Sequence, residues 1–139
     1  FETGNAVIDG ADEIDMVVNL GFVKDKKFDK ITEEISAVKK ACGGKLLKVI
    51  IETCYLTDDE KKELCKCVTD AGAEYIKTST GFGTKGAELS DIEIFKDNIG
   101  ENVKIKAAGG IRTKEDMENF IKAGCDRIGT SKASILFSE

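Results

Sequence analysis

Apolar residues along this chain follow two different periods. Four short runs, Glu13 to Asn19 (EIDMVVN), Leu46 to Thr53 (LLKVIIET), Glu74 to Thr80 (EYIKTST) and Val103 to Ala108 (VKIKAA), are rich in Val and Ile, and a weaker fifth covers Asp126 to Thr130. Such runs suit parallel strands covered on both faces. Between them the apolar positions recur at intervals of three and four: Phe28, Ile31, Ile35 and Val38, then Leu64 and Val68, then Ile92, Phe95 and Ile99, then Met117, Phe120 and Ile121. Thr57 with Glu60, Ser90, and Thr113 with Asp116 mark the starts of the last three helices. Strand and helix alternate without a linker or low-complexity stretch, which predicts a parallel α/β architecture with right-handed crossovers.

Charges inside the strands sharpen this picture. Lys48, Lys77 and Lys106 recur at an interval of 29 residues, about one βα unit, and Asp15 precedes Lys48 by 33. Lys and Asp are seldom buried unless paired, so folding alone does not explain them. In a (βα)8 barrel these positions converge at the mouth, where active sites sit. Taken singly, Lys48 is equally a strand-end lysine whose stem snorkels to solvent, and Asp15 a structural partner of a barrel lysine.

Glycine loops follow the late strands: Gly81-Phe82-Gly83, Gly109-Gly110-Ile111-Arg112-Thr113 and Gly129-Thr130-Ser131. One such pair is an ordinary turn signal. Three after consecutive strands suggest a cradle of backbone N–H groups for phosphate. Barrels place that site after strands 7 and 8. The visible strands are then 4 to 8, residues 1–139 form a single partial TIM-barrel domain of five βα units, and the first three units lie outside the chain. A start at Phe1, with helix-like spacing under way, predicts an upstream segment.

Composition narrows the chemistry. The 139 residues suffice for one core. The absence of histidine excludes Ser-His and Cys-His nucleophile pairs and most zinc sites. A net charge of -5 argues against nucleic acid as a partner. No apolar run approaches the roughly 20 residues that span a bilayer, so no membrane role is expected. Five cysteines (Cys42, Cys54, Cys65, Cys67, Cys125), odd in number and without a CxxC pair, fit a reducing cytoplasmic setting. Cys65 and Cys67 are expected to be packing residues. The lysines from Lys24 to Lys40, from Lys61 to Lys66, and Lys114 and Lys122 are expected on solvated helix faces.

Five blocks then carry a resemblance: Gly10-Ala-Asp-Glu-Ile-Asp15-Met-Val, Leu47-Lys-Val-Ile-Ile-Glu-Thr53, Tyr75-Ile-Lys77-Thr-Ser-Thr-Gly-Phe-Gly83, Lys106-Ala-Ala-Gly-Gly-Ile-Arg112-Thr and Arg127-Ile-Gly-Thr-Ser131. They closely resemble the deoxyribose-phosphate aldolases over nearly the whole chain. The resemblance implies reversible addition of acetaldehyde to glyceraldehyde 3-phosphate, giving 2-deoxyribose 5-phosphate without a metal or other cofactor. It also implies Lys77 as the Schiff-base lysine and Asp15 and Lys106 as the residues that move protons and tune it. Gly81, Gly109, Gly110, Arg112, Gly129 and Ser131 match the phosphate-binding loops, and Lys48 joins them at the barrel mouth as a substrate-binding candidate. A free lysine amine is almost wholly protonated at neutral pH, so such a nucleophile needs a neighbour that disfavours its ammonium form. Lys106, on the next strand, is the candidate.

Two other classes remain open at this level. Five strands cannot close a barrel, so the chain could be a non-catalytic phosphate-binding half-barrel or assembly fragment, and its open edges predict a homo-oligomer or another partner. A transaldolase-like Schiff-base barrel is the other, which the specific blocks disfavour.

Overall fold

In the computed structural model, which describes residues 7–8, 13–80 and 85–129, strands and helices alternate as the apolar pattern predicts. Strands β2 (Glu13–Val17), β3 (Leu46–Ile50), β4 (Tyr75–Lys77), β5 (Lys104–Ala108) and β6 (Arg127–Gly129) run parallel in chain order, each paired with the next. Helices α2 (Phe28–Ala41), α3 (Asp58–Ala71), α4 (Leu89–Asn98) and α5 (Lys114–Ala123) fill the successive connections, and a short α1 (Leu20–Lys24) precedes α2. Strand order never reverses, which is the winding of a barrel and not of a doubly wound sheet. A two-residue β1 (Val7–Ile8) pairs antiparallel with β2. It is too short to carry a period, and the apolar pattern does not predict it.

Strand side chains alternate between faces, and here the two faces differ in kind. One face supplies Met16, Leu47, Val49, Ile51, Ile76, Ile105 and Ala107 to a single apolar cluster with Ile31, Ile35 and Val38 of α2, Leu64 and Val68 of α3, Ile92 and Phe95 of α4, and Met117 and Phe120 of α5. Each such burial contributes about 1.5–3 kcal/mol, so this layer holds the fold. The alternate positions carry Glu13, Asp15, Lys48, Tyr75, Lys77, Lys106 and Arg127. Beside the apolar Val17, Ile50 and Ala108 on this face, these charged and polar residues are not selected by packing, and they line the candidate site.

Local signals explain most boundaries. Thr57 and Glu60 form a reciprocal capping box on α3, which ends at Gly72 with φ 81°. Thr113 and Asp116 do the same for α5, ending at Gly124 with φ 119°. The start of α4 differs from expectation. Glu88, not Ser90, is its N-cap, and Ser90 lies inside the first turn. The cause is Asp91, whose Oδ2 accepts the Glu88 N–H at 3.1 Å while Oδ1 lies 2.8 Å from Lys61 Nζ. Lys61 therefore does not lie on a solvated face. It is 9% exposed and forms a buried ion pair between α3 and α4. Burial pulls its pKa down, but the Asp91 carboxylate, helped by Asp58, outweighs this and holds it above the usual lysine value. Cys65 and Cys67 are buried as expected, and Cys67 Sγ donates to the Phe28 carbonyl at 3.6 Å.

β3 ends sooner than its apolar run suggests. Glu52 turns the chain into the left-handed region at φ 54°, ψ 68°, and Thr53–Tyr55 forms a single 3-10 turn. A non-glycine residue there costs of order 1–3 kcal/mol.

Candidate active site

Asp15 and Lys48 are paired in the β2–β3 ladder, Lys48 and Tyr75 in β3–β4, and Lys77 and Lys106 in β4–β5. Equal register in a parallel ladder puts these side chains on one face, with neighbouring strands about 4.8 Å apart. Lys77 and Lys106 are therefore level neighbours on β4 and β5, while Lys48, level with Asp15 and Tyr75, lies two residues nearer the strand starts on the same face.

The Asp15 carboxylate bridges the two levels. Its Oδ1 is 3.2 Å from Lys48 Nζ and its Oδ2 is 3.7 Å from Lys77 Nζ. The second distance is an ion contact too long for a hydrogen bond and leaves Lys77 Nζ free to move toward an incoming carbonyl. Lys77 and Asp15 are mostly covered, with side chains 13% and 16% exposed. Lys48 does not snorkel. Its side chain is 1% exposed, and its Nζ reaches both Asp15 and Glu13, the latter at 2.9 Å.

Glu13 extends the network away from Lys77. Its Oε1 also accepts from Arg127 Nη1 at 2.8 Å, and the Arg127 guanidinium lies 4.7 Å from the centre of the Tyr75 ring. The hydrogen bond from Lys48, reinforced by Arg127 against the opposing effect of burial, holds the Glu13 carboxyl below its ordinary pKa. An ionised Glu13 balances Lys48 and Arg127 together. The spacing Glu13, Asp15 is a legible sign of this, since residues two apart share a strand face.

The Gly109-Gly110 loop and Gly129 lie at the same end of the strands. Gly109 and Gly110 both have positive φ, 83° and 73°, directly after β5. Gly86, which the sequence reading does not single out, packs backbone to backbone against them: a Cβ there would come within 2.1 Å of the Gly109 carbonyl oxygen. Ala87 N–H donates to the carbonyls of Ala108 and Gly109 at 3.1 and 3.0 Å, which ties the two loops together. Gly129 lies under Lys106, and a Cβ on it would stand 3.0 Å from Lys106 Cε. Arg112 is exposed just before α5, with its backbone N–H on Asp116 Oδ2 at 3.2 Å. Gly81, Gly83, Thr130 and Ser131 lie outside the described residues. Among the described residues, no three His, Cys, Asp or Glu side chains cluster in a way that could hold a metal ion. No helix among them is long and apolar enough to cross a membrane.

A family model for DeoC/LacD family aldolases matches residues 1–134. The chain belongs to the DeoC/LacD aldolase family. Within this family it is 65% identical over 132 residues to the deoxyribose-phosphate aldolase of Clostridium botulinum strain Eklund 17B, and 56% identical over 131 residues to that of Clostridioides difficile strain 630. These matches take in 95% and 94% of this chain but only 60% of each relative. The chain thus spans about 60% of the length of the relatives it matches. Among solved structures, an aldolase called QR15 superposes with a TM-score of 0.83 at 42% identity, covering 88% of this chain and 55% of that one. A tetrameric deoxyribose phosphate aldolase from Aeropyrum pernix superposes with a TM-score of 0.80 at 31% identity, covering 94% and 57%. The DeoC/LacD fold is seen here as part of a TIM-type barrel, with its parallel strands in sequential order.

Proposed function

We propose that the protein carrying this sequence cleaves 2-deoxyribose 5-phosphate reversibly to acetaldehyde and glyceraldehyde 3-phosphate through a Schiff base on Lys77. The observation that carries the reading is the Asp15 carboxylate between Lys48 and Lys77, with Lys106 beside Lys77 on the next strand. The family and the deoxyribose-phosphate aldolase relatives support the choice of substrate.

In this mechanism the neutral Lys77 amine adds to the aldehyde carbon of the open-chain sugar, and loss of water leaves an iminium. The C3 hydroxyl gives up its proton, the C2–C3 bond breaks and its electron pair moves into the iminium. Glyceraldehyde 3-phosphate departs and an enamine remains. Protonation of the enamine carbon and hydrolysis release acetaldehyde and the free lysine. Asp15, directly or through a water, carries the protons, and Lys106 supplies positive charge beside the reacting nitrogen. Lys48 holds Asp15 in place. The phosphate is assigned to the loops of Gly109 and Gly110, Arg112 and Gly129, together with Gly81 and Ser131. The tetrameric relative from Aeropyrum pernix supports a homo-oligomer. Five cysteines without a disulfide support a cytoplasmic setting.

Turnover of the full-length protein on 2-deoxyribose 5-phosphate, with Lys77→Arg as the control, tests the reading. Acetaldehyde release that Lys77→Arg abolishes, and that is much slower on unphosphorylated 2-deoxyribose, is expected. Equal rates for wild type and Lys77→Arg would contradict it.

A further inference from the structure

Glu52 is one of two non-glycine residues with positive φ among the described residues, and unlike Lys26, the other, it is buried at 6% exposure. Glycine or asparagine adopts this backbone more readily, and a covered carboxylate adds a desolvation cost. Neither helix, strand nor core explains a glutamate here. Its carboxylate is committed to one residue: Thr80 N–H donates to Oε1 at 3.0 Å and the Thr80 hydroxyl donates to Oε2 at 2.6 Å.

Thr80 lies three residues beyond Lys77, and the intervening backbone is held from both sides. On the β3 side, Ile51 N–H donates to the Lys77 carbonyl at 3.1 Å and Thr53 N–H to the Thr78 carbonyl at 2.8 Å. On the β5 side, Thr78 N–H donates to the Lys106 carbonyl at 3.1 Å. The Thr78 hydroxyl donates to the Ala108 carbonyl at 3.1 Å and accepts from Ala108 N–H at 3.0 Å. The backbone-to-backbone bonds among these survive most substitutions. The Glu52–Thr80 clasp depends on the Glu52 carboxylate for both bonds and on the Thr80 hydroxyl for one, and it fastens the segment just where the ladder ends.

We propose that Glu52 is a positioning residue for Lys77. By clasping Thr80 it fixes the path of residues 77–80, and with it the direction from which the lysine amine meets the aldehyde carbonyl. The left-handed backbone at Glu52 is what aims its carboxylate across to β4. This proposal rests on Lys77 being the Schiff-base lysine.

The test uses the full-length protein with Glu52→Ala, Glu52→Gln, Thr80→Val, Thr80→Ser and the Glu52→Ala/Thr80→Val double variant. The rate of borohydride-trapped acetaldehyde adduct on Lys77 is measured against acetaldehyde concentration, together with the melting temperature. Glu52→Ala and Thr80→Val should each lower the saturating rate by about 10- to 100-fold, as expected for a displaced reacting group. The double variant should be no slower than the worse single variant, because Glu52→Ala already removes both bonds of the clasp and Thr80→Val removes one of the same two. Thr80→Ser, which keeps the hydroxyl, should stay near wild type, and Glu52→Gln, which keeps one acceptor, should fall between. Should Glu52→Ala not fold, Glu52→Gln and Thr80→Val carry the same comparison. A lowered melting temperature with wild-type trapping rates would overturn the proposal and leave Glu52 a structural role. Absence of any Lys77 adduct in the wild-type protein would overturn the Schiff-base reading as well, so the two failures are told apart.

Discussion

Lys77 and Lys106 stand opposite one another in the β4–β5 ladder, so two lysines leave the same sheet face from neighbouring strands. Like charges in facing positions destabilise a sheet, and nothing in the apolar layer behind them requires either one. The arrangement makes sense as chemistry. Asp15 reaches Lys77 from two strands away, past Lys48, and so couples the Lys77–Lys106 pair to the level below it.

Asp15→Asn should uncover this dependence. The amide cannot balance Lys48, whose side chain is 1% exposed, and removing one partner of a buried ion pair costs about 3–5 kcal/mol. Glu13 remains on Lys48 and should keep the loss at the low end of that range. Turnover should fall by about 10²- to 10⁴-fold, the usual scale for loss of a general acid or base. Denaturant unfolding and steady-state kinetics check the two effects separately.

Gly129→Ala tests the seat of Lys106. The new methyl would stand 3.0 Å from Lys106 Cε, and the flexible end of that side chain gives way more easily than backbone. Stability should change by less than about 1 kcal/mol, while turnover falls by about tenfold or more. Wild-type turnover would show that the position of Lys106 matters little.

Lys61 and Asp91 set a limit at alkaline pH. The folded-state pKa of Lys61 is raised above 10.5, so its contribution to stability is complete below that value and is lost as pH rises through the folded-state pKa. The melting temperature of the wild type should therefore fall more steeply above about pH 10.5 than that of Lys61→Met. At neutral pH, Asp91→Ala should destabilise toward the low end of about 3–5 kcal/mol, because it leaves a covered ammonium with only the exposed Asp58 carboxylate, 3.6 Å away.

Thiol labelling separates the cysteines. Burial pushes the Cys65 and Cys125 thiols up to about 12, with Asp126 adding to the effect at Cys125. Thiolate is the reactive form, so neither should label at pH 8 in the native protein. Cys54, partly exposed in the 3-10 turn, should label first. Mass mapping after brief treatment with a thiol reagent reads this directly.

Much of the fold is legible in the apolar periods, because each helix buries one stripe and each strand one face in a common layer. The site is legible for a related reason: Lys48, Lys77 and Lys106 interrupt strands that the core would otherwise fill. Less legible are features that depend on distant partners. Lys61 sits at an ordinary helix-surface spacing, and only the packing of α4 brings Asp91 to it. That same partner moves the start of α4 from Ser90 to Glu88. Gly86 matters because another loop passes against it, and Glu52 because Thr80 comes near, and neither neighbour can be read from local pattern. Glu13 was within reach, since it shares a strand face with Asp15.

The central claim is that Lys77 forms the covalent intermediate. Acetaldehyde and borohydride applied to the full-length protein, followed by peptide mapping, test it most directly. A reduced two-carbon adduct on Lys77, formed faster than on any other lysine and absent from Lys77→Arg, is the result this account predicts. Adducts confined to exposed lysines, with Lys77 unmodified, would contradict it.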